Sequence, residues 1–240
     1  MNTAESFMPL VKRYALPIYF GRADGSVVSN GTVTLIRLDG KPIAVTCNHV
    51  IKAHEDQQAR FGDSILQIGD LHIEPQMMLH REDRPDLATI DLTGKESLIG
   101  PPKRVRFWEP VQWPPPPALE EDVLFYCGYP GDARQQPGAH QLSFAATFIL
   151  GDVLSSTEEG GSTSIGIQQC DVTGPLAPKT QPSSFNPGGF SGCPMFMIHH
   201  DSVIYPELVA IGFEYNSSFD LFKFHHLKLI GPDGSIHQLP

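Results

Sequence analysis

Three short segments of this chain hold side chains whose types could do chemistry together. Ala44-Val-Thr-Cys-Asn-His49-Val50 is an apolar run that ends at a histidine. Asp86-Leu-Ala-Thr-Ile90 is a second apolar run that opens with an aspartate. Pro187-Gly-Gly-Phe-Ser191-Gly-Cys-Pro194 sets a serine in a glycine-rich turn ahead of a third apolar run. A serine hydroxyl is a poor nucleophile near neutral pH. It needs a base within hydrogen-bond reach, and the base needs a carboxylate to orient it. The three segments supply a base, a carboxylate and a nucleophile in that chain order. Asp83 and Asp91 stand near Asp86 as competing carboxylates, although Asp91 would face away from Asp86 on a regular strand.

The elements that must position these groups read as short strands. Pro17–Phe20, Gly31–Arg37, Lys41–Thr46, Ser64–Ile68, Leu71–Ile73 and Leu87–Leu92 are runs rich in β-branched and aromatic residues. Asp39-Gly40 between two of them is a hairpin signal. Only His49 to Ala59 reads as a helical turn or two. After Trp113-Pro-Pro-Pro-Pro-Ala118, strands resume at Asp122–Cys127, Gln141–Leu150, Ser164–Gln168, Pro194–Ile198 and Glu207–Gly212. Four consecutive prolines favour stiff extended geometry. The run reads either as a ligand for a proline-recognition domain or as a rigid connector, and its mid-chain position favours the connector. Ser218–Leu227 has an N-cap residue and spaced apolar positions that suggest a short helix, with a terminal hairpin after it. The expected organisation is a β half over 1–112, a connector over 113–120, a second β half over 121–217, and a helix or hairpin over 218–240. Gly and Pro, 22 each, punctuate the chain and argue against long helices.

Composition narrows the partners. Charged residues are 18% of the chain and the net charge is −10, so no electrostatic case for nucleic acid exists. No apolar run approaches the roughly 18 residues that span a bilayer. The N-terminus lacks a basic head followed by an apolar stretch, so an intracellular, cytoplasmic location is expected. Cys47, Cys127, Cys170 and Cys193 form no C-x-x-C pair and read as reduced, buried thiols. The pairs His199-His200 and His225-His226 point to opposite strand faces and read as incidental, with no metal.

The order and flanks of the three segments resemble the trypsin-like (chymotrypsin-fold) serine peptidases. Thr46-Cys-Asn-His49-Val50 is similar to that family's T-A-A-H motif, Asp86-Leu87-Ala88 to its D-[IL]-A motif, and Gly189-Phe190-Ser191-Gly192-Cys193-Pro194 to its G-x-S-G-G-P motif. Cys127-Gly128-Tyr129-Pro130 is similar to the opening strand and turn of the second barrel in many intracellular members. The resemblance spans about residues 18 to 215, and the proline run falls where the family joins its barrels. It implies an all-β fold of two six-stranded antiparallel β-barrels with the active site in the cleft between them. It also implies a serine endopeptidase working through an acyl-enzyme, with protein or peptide substrates and no cofactor. Ser191 would be the nucleophile, His49 the general base and then acid, and Asp86 the orienting carboxylate. The N–H groups of Gly189 and Ser191 would form the oxyanion hole.

The chain departs from the family in two places. Cys193 replaces the second glycine after the nucleophile, where a Cβ could crowd the backbone. As a nucleophile it is the poorer choice, because the base-facing position of the motif belongs to Ser191. The missing zymogen-like N-terminus leaves control by a regulatory protein partner or by loop ordering as the natural substitute. The resemblance places the specificity pocket between Ser183–Gly188 and Ile211–Tyr215, with Phe185, Gly212, Phe213 and Glu214 as substrate-binding residues. Phe185 stands six before Ser191, where trypsin carries its acidic pocket residue. Either Glu214 or Asp220 would replace that group and contact a basic side chain before the scissile bond, or the pocket is apolar; of these, Glu214 is preferred. The alternatives are a catalytically silent protease-fold binding module and an esterase. The chain order and the lack of G-x-S-x-G disfavour an α/β-hydrolase.

Overall fold

Runs rich in Val, Ile, Thr and aromatic residues form strands because such side chains pack on a pleated, half-buried surface. In the computed structural model they make up two curled antiparallel sheets. It describes residues 3–22, 24–101, 103–138, 141–170, 186–200 and 204–238. The first sheet contains β1 (Ala15–Gly21), β2 (Val27–Leu38), β3 (Lys41–Thr46), β4 (Ile65–Ile68), β5 (Leu71–His72), β6 (Met78–Asp83) and β7 (Asp86–Asp91). Its order is β5-β4-β1-β2-β3-β7-β6.

The second half begins with β8 (Val123–Gly128), followed by a separate two-stranded ribbon of β9 (Arg134–Gly138) and β10 (Gln141–Phe144). Then come β11 (Thr147–Ser156), β12 (Gly160–Ser164), β13 (Ile167–Cys170), β14 (Cys193–His200), β15 (Ile204–Asn216) and β16 (Leu221–His226). The order is β12-β16-β15-β14-β8-β11-β13, and a further β11–β12 pairing closes six of these strands into a ring. The expected all-β, two-barrel fold is therefore present: the second barrel is a closed ring of six, and the first is a curled sheet of seven.

Each half has its own core. Ile18, Phe20, Val33, Leu35, Ala88 and Ile90 fill the first. Leu124, Tyr126, Ile149, Met195, Phe222 and Phe224 fill the second. A third cluster joins them, with Ile36, Ile43, Val45 and Leu87 from the first sheet against Phe125, Phe148, Phe196 and Leu208 from the second. This shared interface explains why Gly31 to Ile36 of β2 are buried on both faces: alternate side chains serve the first barrel and the junction. The proline run follows the first sheet and precedes the second along the chain, and the Trp113 indole N–H donates to the Ile230 carbonyl at 2.9 Å.

Two elements differ from the sequence expectation. The helix expected over Ser218–Leu227 is instead β16, a member of the closed ring. Its alternate residues Phe222 and Phe224 point into the barrel, and tertiary burial outweighs the local helix signal. The N-terminus forms α1 (Thr3–Val11), whose Val11 enters the shared cluster with Phe7, Met8 and Leu10 packed against it. The helical turns expected after His49 extend to α2 (Asn48–Phe61), and a single turn, α3 (Glu96–Ile99), follows β7. Among the described residues no helix is long and apolar enough to cross a membrane.

Candidate functional site

The chain leaves β3 at Thr46, and Cys47 is the N-cap of α2, so His49 stands in the first helical turn. No side chain caps this helix from within it. The Asp86 carboxylate supplies the missing acceptor: the His49 backbone N–H donates to Asp86 Oδ1 at 2.9 Å. The pairing of β3 with β7, which sets Thr46 opposite Ala88, brings Asp86 to this point. The same carboxylate lies 2.5 Å from His49 Nδ1 through Oδ2, and His49 Nε2 lies 2.9 Å from Ser191 Oγ. An ionised carboxylate only accepts, so the proton of the ring sits on Nδ1 and leaves Nε2 as an acceptor for the Ser191 hydroxyl. Burial pushes the Asp86 carboxyl upward, but the hydrogen bonds and charge of His49 outweigh it, and the net shift is downward.

The competing aspartates are engaged elsewhere. Asp83 accepts from Asn48 Nδ2 at 2.6 Å and pairs with Lys52, while Asp91 pairs with Lys41. Cys193 is fully buried opposite Gly212 at the start of β14, and burial pushes its thiol well up. Its Cβ is accommodated because the paired residue is glycine: a Cβ on Gly212 would lie 2.7 Å from Cys193 Sγ.

The turn that carries Ser191 is fixed peptide by peptide. The Phe190 N–H donates to Pro187 O, Gly192 N–H to Gly212 O, and Cys193 N–H to Phe190 O. Among the described residues the intervening N–H groups of Gly189 and Ser191 meet no acceptor. Gly189 and Gly192 take φ of +105° and +93°, where a side chain is strained. Phe190 is fully buried beneath the turn, edge-on to Tyr126 and Phe222.

The residues that sequence reasoning missed are on β2. Thr32 N–H donates to Ser191 O at 2.9 Å, Thr32 Oγ1 to Gly189 O at 2.7 Å, and Thr34 Oγ1 to Gly192 O at 2.8 Å. Asn30 Nδ2 donates to Tyr129 O at 2.7 Å. Asn30, Thr32 and Thr34 alternate along one strand face, and the first barrel thereby holds the serine turn of the second. The period-two polar pattern was visible in the sequence, but it reads equally as a solvent-facing edge.

Of the expected specificity residues, Phe185 lies outside the described residues. The Phe213 carbonyl is 3.3 Å from Ser191 Oγ, and Glu214 is half exposed and paired with Lys223 at 2.8 Å. Behind Phe213 stands His225, its ring stacked at a centroid distance of 4.0 Å. His225 is buried, and among the described residues its Nε2 has no hydrogen-bond partner. Burial lowers its pKa from 6.5 to about 4, against an opposing pull from Asp86.

That shift makes the fold acid-labile. Above pH 6.5 neither state protonates His225. Between 6.5 and about 4 only the unfolded chain takes up the proton, so stability falls as pH falls. The loss across this window is roughly 3 kcal/mol. Urea unfolding of His225→Phe is expected to show a flatter stability profile between these pH values. The same slope as in the unaltered chain would place the lability elsewhere.

No family model matches the chain, and no curated protein matches it in sequence. Solved structures do match in fold. A serine endoprotease from Yersinia pestis aligns over 94% of this chain and 62% of its own, with a TM-score of 0.51 and 13% identity. This chain therefore spans less than two thirds of that structure. Human heparin binding protein aligns over 92% of this chain and 89% of its own (TM-score 0.49, 10% identity). A Glu endopeptidase aligns over 90% and 86% (TM-score 0.47, 16% identity). The architecture is that of the trypsin-like serine proteases.

Proposed function

We propose that this protein is a serine endopeptidase. The observation that carries the reading is the unbroken chain of hydrogen bonds from Asp86 through His49 to Ser191, with the imidazole tautomer the reaction needs. Ser191 Oγ attacks the peptide carbonyl as its proton passes to His49 Nε2. Asp86 stabilises the imidazolium, which then protonates the departing amine. Water repeats the sequence on the acyl-enzyme and regenerates Ser191. The N–H groups of Gly189 and Ser191, without an acceptor among the described residues, support a role as the oxyanion hole, worth about 3–4 kcal/mol per donor at the transition state.

A fluorophosphonate probe is expected to label the unaltered chain and to spare Ser191→Ala. A folded chain that the probe does not label would be a binding module on a protease fold. Hydrolysis of small esters but not peptides would make it an esterase. The buried thiols of Cys47 and Cys193 support a reducing, intracellular setting.

Phe185, Gly212, Phe213 and Glu214 are proposed to line the pocket for the residue before the scissile bond. An exposed ion pair is weak, so Glu214 can exchange Lys223 for a basic substrate side chain. A peptide library should then show an Arg/Lys preference that Glu214→Gln reduces. An unchanged profile would remove Glu214 from the pocket.

A further inference from the structure

Cys47 is not needed for the proposed chemistry, yet its sulfur lies beside it. Cys47 Sγ, a ring nitrogen of His49 and a carboxylate oxygen of Asp86 all fall within 4.8 Å of one another. The fully buried thiol contacts the Gly212 carbonyl at 3.6 Å and has the Gly192 backbone N–H beside it. One sulfur, one imidazole nitrogen and one carboxylate oxygen form a donor set suited to zinc and other thiophilic divalent cations, and unsuited to magnesium or calcium. Around a tetrahedral zinc, bonds of about 2.0–2.3 Å place donors about 3.3–3.8 Å apart. The present spacing is close to that: the His49–Asp86 contact has to open and the sulfur to draw in, each by roughly an ångström. His49 is half exposed and Asp86 a quarter exposed, so solvent reaches two of the three donors.

We propose that Cys47, His49 and Asp86 form an inhibitory site for thiophilic divalent cations. The metal forms bonds to Cys47 Sγ, His49 Nδ1 and an Asp86 carboxylate oxygen. The Cys47 thiol proton leaves to solvent, and the His49 ring proton moves from Nδ1 to Nε2, which then cannot accept from Ser191. With Asp86 and His49 bridged by metal instead of a proton, His49 no longer serves Ser191. The inhibitory consequence rests on the endopeptidase reading, but the binding does not.

The experiment has two arms. In the first, the full chain is titrated with zinc chloride while peptide hydrolysis is followed. In the second, the Ser191→Ala chain is titrated with cadmium and the thiolate-to-cadmium charge-transfer band is read in the ultraviolet. Hydrolysis should fall with zinc, return with EDTA, and ignore magnesium. Cys47→Ser should keep its zinc-free rate, raise the half-inhibiting zinc concentration at least about tenfold, and lose the cadmium band. Should Cys47→Ser fail to fold, His49→Asn in the Ser191→Ala chain serves instead. It changes a half-exposed side chain and should weaken the cadmium band's titration by a similar factor.

Equal zinc sensitivity in Cys47→Ser, or no thiolate band on adding cadmium, overturns the site. A cadmium band that Cys47→Ser abolishes, in a chain that hydrolyses nothing, upholds the site and rejects the endopeptidase reading.

Discussion

Ser191→Ala is expected to lower peptide hydrolysis by about 10⁴ to 10⁶-fold while the chain stays folded. The hydroxyl is the atom that forms the new bond, and the nearby thiols are poor substitutes: Cys47 and Cys193 are fully buried, and burial pushes both thiols well up. The fold should tolerate the change because Ser191 is held through its backbone. Its carbonyl accepts from Thr32 N–H, and among the described residues its side chain contributes only the contacts to His49 and Phe213. Steady-state hydrolysis of a peptide, read beside thermal unfolding, checks both halves. His49→Ala should match the loss to within about tenfold, since the two groups act as a unit and their effects do not add. Residual activity near the unaltered rate in a folded Ser191→Ala chain would refute the assignment.

Gly192→Ala is expected to cost at least about 100-fold in activity and about 3 kcal/mol in stability, although no reacting atom changes. Its φ of +93° strains any side chain, and the new Cβ would lie 2.0 Å from the Thr32 carbonyl oxygen and 2.9 Å from Thr46 Cα. Both neighbours are backbone atoms of the first barrel, so the serine turn must move instead. A shift of roughly an ångström takes Ser191 Oγ out of reach of His49 Nε2. The readouts are the peptide hydrolysis rate, the rate of fluorophosphonate labelling and the unfolding midpoint. Wild-type rates would show that the position of the turn against β2 does not set the nucleophile.

Much of the site was legible as a pattern. His49, Asp86 and Ser191 each sit where an apolar run begins or ends, and strand boundaries are where a rigid sheet delivers a side chain to a surface. Asp86 could be preferred to Asp91 because strand side chains alternate. The preference over Asp83 needed the structure, which shows Asp83 occupied by Asn48 and Lys52. Ser218–Leu227 misled for a local reason: a capping residue and spaced apolar positions describe a short helix as well as they describe Phe222 and Phe224 inside a barrel. Nothing local distinguishes the two, because the choice is made by the strands on either side, β12 and β15.

The division of labour follows from the range of the forces. Residue types, their order and the short strands around them were determined by the sequence, since propensity, alternation and turn chemistry act over a few positions. So was the absence of a strong charge case for nucleic acid. What only the tertiary structure decided is the relation between segments far apart in the chain. It determined that Asp86 caps the helix carrying His49. It turned Thr32 and Thr34 inward to grip the serine turn and Asn30 to hold the neighbouring Tyr129 carbonyl, and it placed Cys47 sulfur beside the same carboxylate. Those contacts cross from one barrel to the other, or between strands paired across a sheet. Their geometry is set by how the two cores meet, which no window of sequence contains.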